Sequence, residues 1–395
     1  MTSIRSIVSI LFAGLFFGGC CTAPKPGSAT TATTGVIELS NHWSLVSSTR
    51  VTDDGKSISS ARYDVSQWYP ITVPSTVMAG LVANGVYSNL YFGQNMRSVP
   101  NLSRQQWWYR GEFIAPPNPA GQYWLRFKGV AYKAEVWLNG KLLDDNAEGT
   151  MVIHDYNVSR LVLPGQKNVL ALKITPPNGA NNLSFWYVDW NPPPPDDNGG
   201  IWGKVLLETT GPVTLRDPYV QTVLPLPQTD SADLTVYVDA ENGTTKAVKG
   251  VLTATISKAG HPTITVEQPV KLGANERREL AFDPAAFKAL RVTNPALWWP
   301  YAMGRPELYD LTLSFRAGDG VSTSRSIKFG IRQVEQYRTP AMGGKPYFQG
   351  FKINGRNFLV RGGAYVWDLF MRWNTDINET HMRYAKDMGL NTVRF

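Results

Sequence analysis

Cysteine is nearly missing from these 395 residues: there are two, Cys20 and Cys21, side by side near the amino terminus. A disulfide framework and a Cys-based metal site are therefore excluded for the rest of the chain. The four histidines (His42, His154, His261 and His381) stand far apart, which gives no His-rich metal spacing. Neither a G-x-S-x-G elbow nor a phosphate-binding loop occurs, and no cofactor or metal is expected. Basic residues outnumber acidic ones, 39 to 31, yet they are scattered and never run beyond the pair Arg277 and Arg278. A nucleic-acid footprint would gather them on a stripe or a basic helix, so the excess of +8 reads as a solubility feature and no nucleic-acid partner is expected.

What is present points to a folded, multi-domain chain. Hydrophobic residues make up 43% and charged residues 18%, which argues against disorder, and the length suggests two or three domains. The glycines and prolines show no collagen period and act as turn punctuation. Thirteen tryptophans are more informative. Stacked rings line carbohydrate and nucleobase sites, although most Trp side chains are core.

The amino terminus has the pattern of an export signal over residues 1–21. Arg5 supplies the positive charge, residues 7–17 are apolar, and Gly18 and Gly19 precede Cys20. The apolar stretch is short for a membrane span. The run FGGC resembles a bacterial lipobox with Phe17 where Leu is usual, which makes Cys20 the candidate lipidation site. Residues 22–36, rich in Thr, Ala, Pro and Gly, read as a flexible linker. The expected location is outside the cytoplasm: periplasmic, anchored to a membrane as a lipoprotein, or secreted.

Beyond the linker the pattern is mainly β. From 37 to 211, short alternating segments separated by Gly, Pro, Asn and Asp indicate a large two-sheet sandwich. Residues 122–128 and 133–141 alternate in period two, with Asn139-Gly140 as a hairpin turn. From 212 to 332, strands at 8–15-residue spacing suit an immunoglobulin-like sandwich. From 333 to 395 the grammar changes. Residues 358–365 read as a buried parallel strand. A helix then opens with Asp376-x-x-Glu379 as a capping-box-like start and runs along Ile377, His381, Tyr384 and Met388 to Gly389. Residues 390–395 open a second strand. This is the first β-α-β of a (β/α)8 barrel, which needs about 250 residues to close, so the chain reads as an incomplete product.

Several motifs carry a family resemblance. They are residues 73–87 (VPSTVMAGLVANGVY), 91–96 (YFGQNM), 107–113 (WWYRGEF), 129–140 (GVAYKAEVWLNG), 186–208 (WYVDWNPPPPDDNGGIWGKVLLE), 294–311 (NPALWWPYAMGRPELYDL) and 350–373 (GFKINGRNFLVRGGAYVWDLFMRW). Together they resemble glycoside hydrolase family 2, in its exo-β-D-glucosaminidase and β-mannosidase branch. The resemblance implies a jelly-roll sugar-binding-type sandwich, an immunoglobulin-like sandwich and then the barrel. It also implies a retaining exo-glycosidase that uses two glutamates about 5–5.5 Å apart, both on later barrel strands. No residue of this chain matches either one. Glu379 follows Asn378 as the family's acid/base follows an Asn, but its place in a first helical turn is explained by capping and dipole. Glu335 in the connector has no better claim.

The same resemblance singles out possible substrate contacts. Arg394 matches an Arg beneath the sugar that hydrogen-bonds the nucleophile, with a structural ion pair as the alternative. Asp368, after the first barrel strand, is placed either to pair with a substrate ammonium or to be a surface loop residue. Trp367 stacks on a sugar or packs under that loop. Asp189 and Trp190 match a pair that contacts the terminal sugar, on a loop stiffened by Pro192–Pro195. Asp196 and Asp197 are equally turn formers, and Tyr187 is weaker. His381 is expected to be a buried, hydrogen-bonded histidine. Two functions follow: an exo-glycosidase acting on chitosan-type oligosaccharides (or, second, on β-mannosides), and a non-catalytic carbohydrate-binding protein made of the two sandwiches.

Overall fold

A computed structural model describes residues 34–118, 121–183, 192–340, 347–366 and 368–394. The first sandwich has a four-stranded sheet in the order Gly35–Glu38, Val205–Thr210, Gln122–Phe127, His154–Asn157. It faces a six-stranded sheet in the order Tyr69–Ile71, Trp43–Ser47, Trp107–Ile114, Lys167–Thr175, Lys133–Leu138, Lys141–Glu148. The pairings in both are antiparallel. Period-two alternation drives this: in Lys133–Leu138 every second residue is buried, which places Ala134, Val136 and Leu138 in the core. Asn139 and Gly140 both have positive φ, 49° and 78°, as a two-residue hairpin requires. A short helix, Val77–Ala83, lies inside the same core, and Thr76 caps it by accepting from the Ala79 N–H.

The second sandwich has its own core, built around Val236, Leu252, Phe282, Leu313 and Phe315. One sheet runs Val213–Val223, Ser231–Asn242, Arg277–Phe282, with Arg291–Thr293 also on the central strand; the other runs Ile264–Leu272, Val248–Ser257, Tyr309–Ala317, Gly320–Phe329. Ser231–Asn242 alternates over all twelve residues, buried at every second position.

After Arg332 the structure departs from the sequence reading. An antiparallel three-stranded unit comes first: Val334–Thr339, Phe348–Ile353 and Arg356–Phe358. The expected continuous strand over 358–365 does not form. Asn354-Gly355 (φ 48° and 77°) makes a second hairpin turn that draws Phe358 into the antiparallel unit. The parallel strand is only Gly362–Ala364, paired with Thr392–Arg394. Between them lies the helix Thr375–Asp387. Its N-cap is Asn374, which accepts from the Ile377 N–H at 3.0 Å, so Asp376 falls in the first turn and no Asp376–Glu379 box forms. Among the described residues no helix is long and apolar enough to cross a membrane.

Candidate functional site

The C-terminal ends of a parallel pair are where an α/β unit presents its chemistry. Arg394 ends one strand opposite Ala364 in register, and the Tyr365 N–H donates to the Arg394 carbonyl at 2.8 Å. Arg394 and the loop after Ala364 therefore share one edge, and the Arg394 side chain is exposed there. Tyr365 Oη lies 2.9 Å from His381 Nδ1 and 3.1 Å from Asn378 Oδ1, tying strand end to helix. His381 is hydrogen-bonded as expected but exposed rather than buried, because its helix face is open to solvent.

The loop beyond Tyr365 runs into the first sandwich. Phe370 is 1% exposed and belongs to that sandwich's core. Its ring stacks on Tyr91 with centroids 5.4 Å apart, and its carbonyl accepts from the Thr76 hydroxyl at 3.2 Å. Trp373 Nε1 donates to the Trp202 carbonyl at 3.2 Å. Two adjoining cavities open beside this junction. One, of ≈ 290 Å³, is lined by Tyr91, Gln94, Arg97, Pro192 and Leu369 among others. The second, of ≈ 340 Å³, continues along Arg97, Asn101, Pro192–195 and Asp197.

Asp368 is held by its own loop and by the first sandwich. Its Oδ2 accepts from the Phe370 and Arg372 N–H groups and from Arg372 Nε, at 3.2, 3.1 and 2.9 Å. Its Oδ1 accepts from Arg372 Nη2 at 2.6 Å and from the Tyr91 hydroxyl at 3.2 Å. Burial pushes its pKa up, but the Arg372 bonds and charge outweigh that and hold the carboxyl below the usual range. Burial, then the nearby Asp368 charge, pushes the Tyr91 phenol up to about 12. The Asp368 carboxylate is thus paired with Arg372 and hydrogen-bonded by Tyr91.

Asp196 is also settled by its surroundings. It is fully buried, accepts from Met78 N at 2.6 Å and Asn198 N at 3.0 Å, and so anchors the helix Val77–Ala83 by its first turn. Burial raises its pKa to about 6. Asp197 sits at positive φ (48°) on the cavity wall, its pKa raised by burial. Glu379 is exposed on the helix and Glu335 half-buried in the antiparallel unit. Asp189, Trp190, Tyr187, Trp367 and Cys20 lie outside the described residues.

Sequence reasoning missed Tyr91, Phe370 and Arg372 as partners. Arg372 stands four residues after Asp368, a readable signal. Tyr91 is 277 residues away and gave none. Larger cavities lie elsewhere. A ≈ 710 Å³ cleft between the sandwiches is lined by Gln122, Asn157, Arg160, Thr244 and neighbours with no carboxylate or aromatic ring, which suits it poorly to glycosidic chemistry. Among the described residues no cluster of His, Cys, Asp and Glu could hold a metal ion.

Comparison with known proteins follows the same division of the chain. Residues 49–184 match a model described as "Glycosyl hydrolase 2 galactose-binding domain-like", and residues 213–332 match one described as "Glycosyl hydrolases family 2". The chain is 36% identical over 392 residues to an exo-β-D-glucosaminidase of Streptomyces avermitilis, covering 98% of itself and 42% of that protein. It superposes with a TM-score of 0.81 at 34% identity on an Amycolatopsis orientalis exo-chitosanase solved with PNP-β-D-glucosamine, covering 91% of itself and 40% of that chain. A β-D-mannosidase of Dictyoglomus thermophilum shares the fold at a TM-score of 0.72 and 22% identity, with 91% and 44% covered. The chain thus spans less than half the length of these relatives.

Proposed function

The chain belongs to glycosyl hydrolase family 2, and from that premise we propose that it serves the removal of single glucosamine units from the ends of chitosan-type oligosaccharides by a retaining mechanism. The observation that carries this reading is the seating of the 368–373 loop in the first sandwich. A sandwich wall built against the C-terminal edge of the parallel pair closes the approach on one side, and a site closed on one side takes a chain end rather than its middle. The names of the similar proteins supply the sugar.

The chain's part in this is to place the substrate. Arg394 stands under the sugar and, as a fixed guanidinium, keeps a neighbouring nucleophilic carboxylate ionised. Asp189, Trp190 and Trp367 contact the terminal ring. Retention needs two carboxyl groups about 5–5.5 Å apart, and none of the carboxylates described above supplies that pair: Asp368 is tied to Arg372, Asp196 is enclosed, and Glu379 faces solvent. The purified chain is therefore expected to bind glucosamine in a calorimetric titration while releasing no nitrophenol from an aryl glucosaminide. Release that survives Glu379→Gln would overturn the assignment of roles, and tighter binding of mannose than of glucosamine would replace a glucosaminidase by a mannosidase. Export with lipidation at Cys20 completes the proposal, supported by Arg5, the apolar run 7–17 and the Gly18-Gly19-Cys20 sequence. The mass of the mature amino terminus tests it.

A further inference from the structure

We propose that Asp368 is a positioning residue: with Arg372 and Tyr91 it forms a clasp that fixes the loop at the end of the first parallel strand against the first sandwich, and thereby sets where a sugar can lie between them. The sugar half of this proposal rests on the function argued above; the clasp itself does not.

The carboxylate is saturated. Two oxygens offer about four acceptor sites, and five donors converge on them: the Phe370 and Arg372 backbone N–H groups, Arg372 Nε and Nη2, and the Tyr91 hydroxyl. Arg372 binds it through both Nε and Nη2 and cancels its charge, the fork geometry that Lys cannot reproduce. Arg372 Nη2 also donates to the Tyr91 oxygen at 2.9 Å. A substrate ammonium approaching this group would meet neither a vacant lone pair nor net charge.

Tyr91 makes the arrangement a link between units instead of a local turn. It belongs to the first sandwich, its hydroxyl touches both members of the ion pair, and its ring stacks on Phe370, which that sandwich buries. Thr76 on the Phe370 carbonyl and Trp373 on the Trp202 carbonyl add two further ties across the same boundary. Tyr91 and Leu369 then line one cavity from the two sides. Loosening the clasp would shift one wall of that cavity relative to the other, with equal consequence for any ring that fits it, whether or not it carries an amine.

The test uses Asp368→Asn, Arg372→Lys and Tyr91→Phe in the complete chain, with two readouts. Hydrogen exchange followed by mass spectrometry reports the Phe370 and Arg372 amides, and calorimetric titration reports glucosamine and glucose separately. D368N and R372K are expected to speed exchange of the two amides by roughly tenfold or more, the worth of hydrogen bonds to a charged group. They are also expected to weaken both sugars by the same factor. Y91F, which keeps the stacked ring and loses only the hydroxyl that donates to Asp368 and accepts from Arg372, should show a smaller effect of the same kind and covers the case in which D368N does not fold. A loss confined to glucosamine would overturn the proposal by making Asp368 an amine contact after all. Faster exchange with neither affinity moved would overturn it by reducing the clasp to a fastener, and unchanged exchange would remove the clasp. A wild-type chain that binds neither sugar would overturn the sugar half together with the function argued above, while the exchange data would still decide the clasp.

Discussion

At the scale of single residues, the contrast between Asp196 and Asp368 shows how environment assigns a carboxylate its work. Burial opposes ionisation in both. In Asp368 the guanidinium wins and the pKa falls; in Asp196 two backbone N–H bonds are too little, and it rises to about 6. The sign for stability follows. The folded state holds the Asp196 proton about two pH units beyond the unfolded value near 3.9, so its contribution is complete below pH ~4 and is lost as pH rises to about 6, roughly 3 kcal/mol in all. Asp196→Asn should flatten that part of the pH–stability curve. It should also cost about 1–3 kcal/mol at pH 7, because one of the Met78 and Asn198 N–H groups would face an amide NH₂. Urea titrations at pH 4, 5, 6 and 7 on both proteins measure the difference, and parallel curves would refute it. The strand-end place of Arg394 was legible from its position in the sequence. The use made of Asp368 was not, since its distinguishing partner comes from a distant part of the chain.

At the scale of elements, turn chemistry and alternation carried most of the readable signal. Strands such as Lys133–Leu138 and Ser231–Asn242 were visible because one face of each is buried and the other wet. The helix Val77–Ala83 was not visible. Its sequence, VMAGLVA, is apolar on all sides, so a period of 3.6 has nothing to contrast with. The strand over 358–365 was overread because its apolar opening hid the Asn354-Gly355 turn just before it. That turn and Asn139-Gly140 both need left-handed backbone. Gly140→Ala and Gly355→Ala should each cost about 1–2 kcal/mol. An added Cβ would meet nothing closer than 3.6 Å at Gly140, and 3.3 Å from Leu226 at Gly355, so the loss at Gly140 is one of backbone strain alone. Unfolding midpoints unchanged in both variants would contradict the turn assignment.

At the scale of the whole molecule, the two sandwiches are joined by buried charge. Glu208, on the last strand of the first, accepts from Arg216 and Arg325 of the second. The Arg216 guanidinium is 1% exposed and lies 5.0 Å over the Trp124 ring. Glu208→Gln takes from Arg216 and Arg325 the carboxylate they share, leaves Arg216 only the more distant Asp155 at 3.9 Å, and should cost about 3–5 kcal/mol, whereas adding Arg216→Met to it should recover part of the loss by removing the more deeply buried of the two cations. Thermal unfolding of the single and double variants decides this. A double variant no better than the single would show that the pair is not the joint. Salt should matter little, because the pair is screened by protein and not by solvent.

The edge strand Gly35–Glu38 lies exposed alongside Val205–Thr210, with Gly35 opposite Thr209. The polypeptide thus enters and leaves the sandwich at one end of one ladder. A tug between those two points would load the rungs singly, as a zip is opened, in place of shearing them together. Under mechanical strain the outermost ribbon would tear away first and act as a sacrificial fuse for the layers behind it.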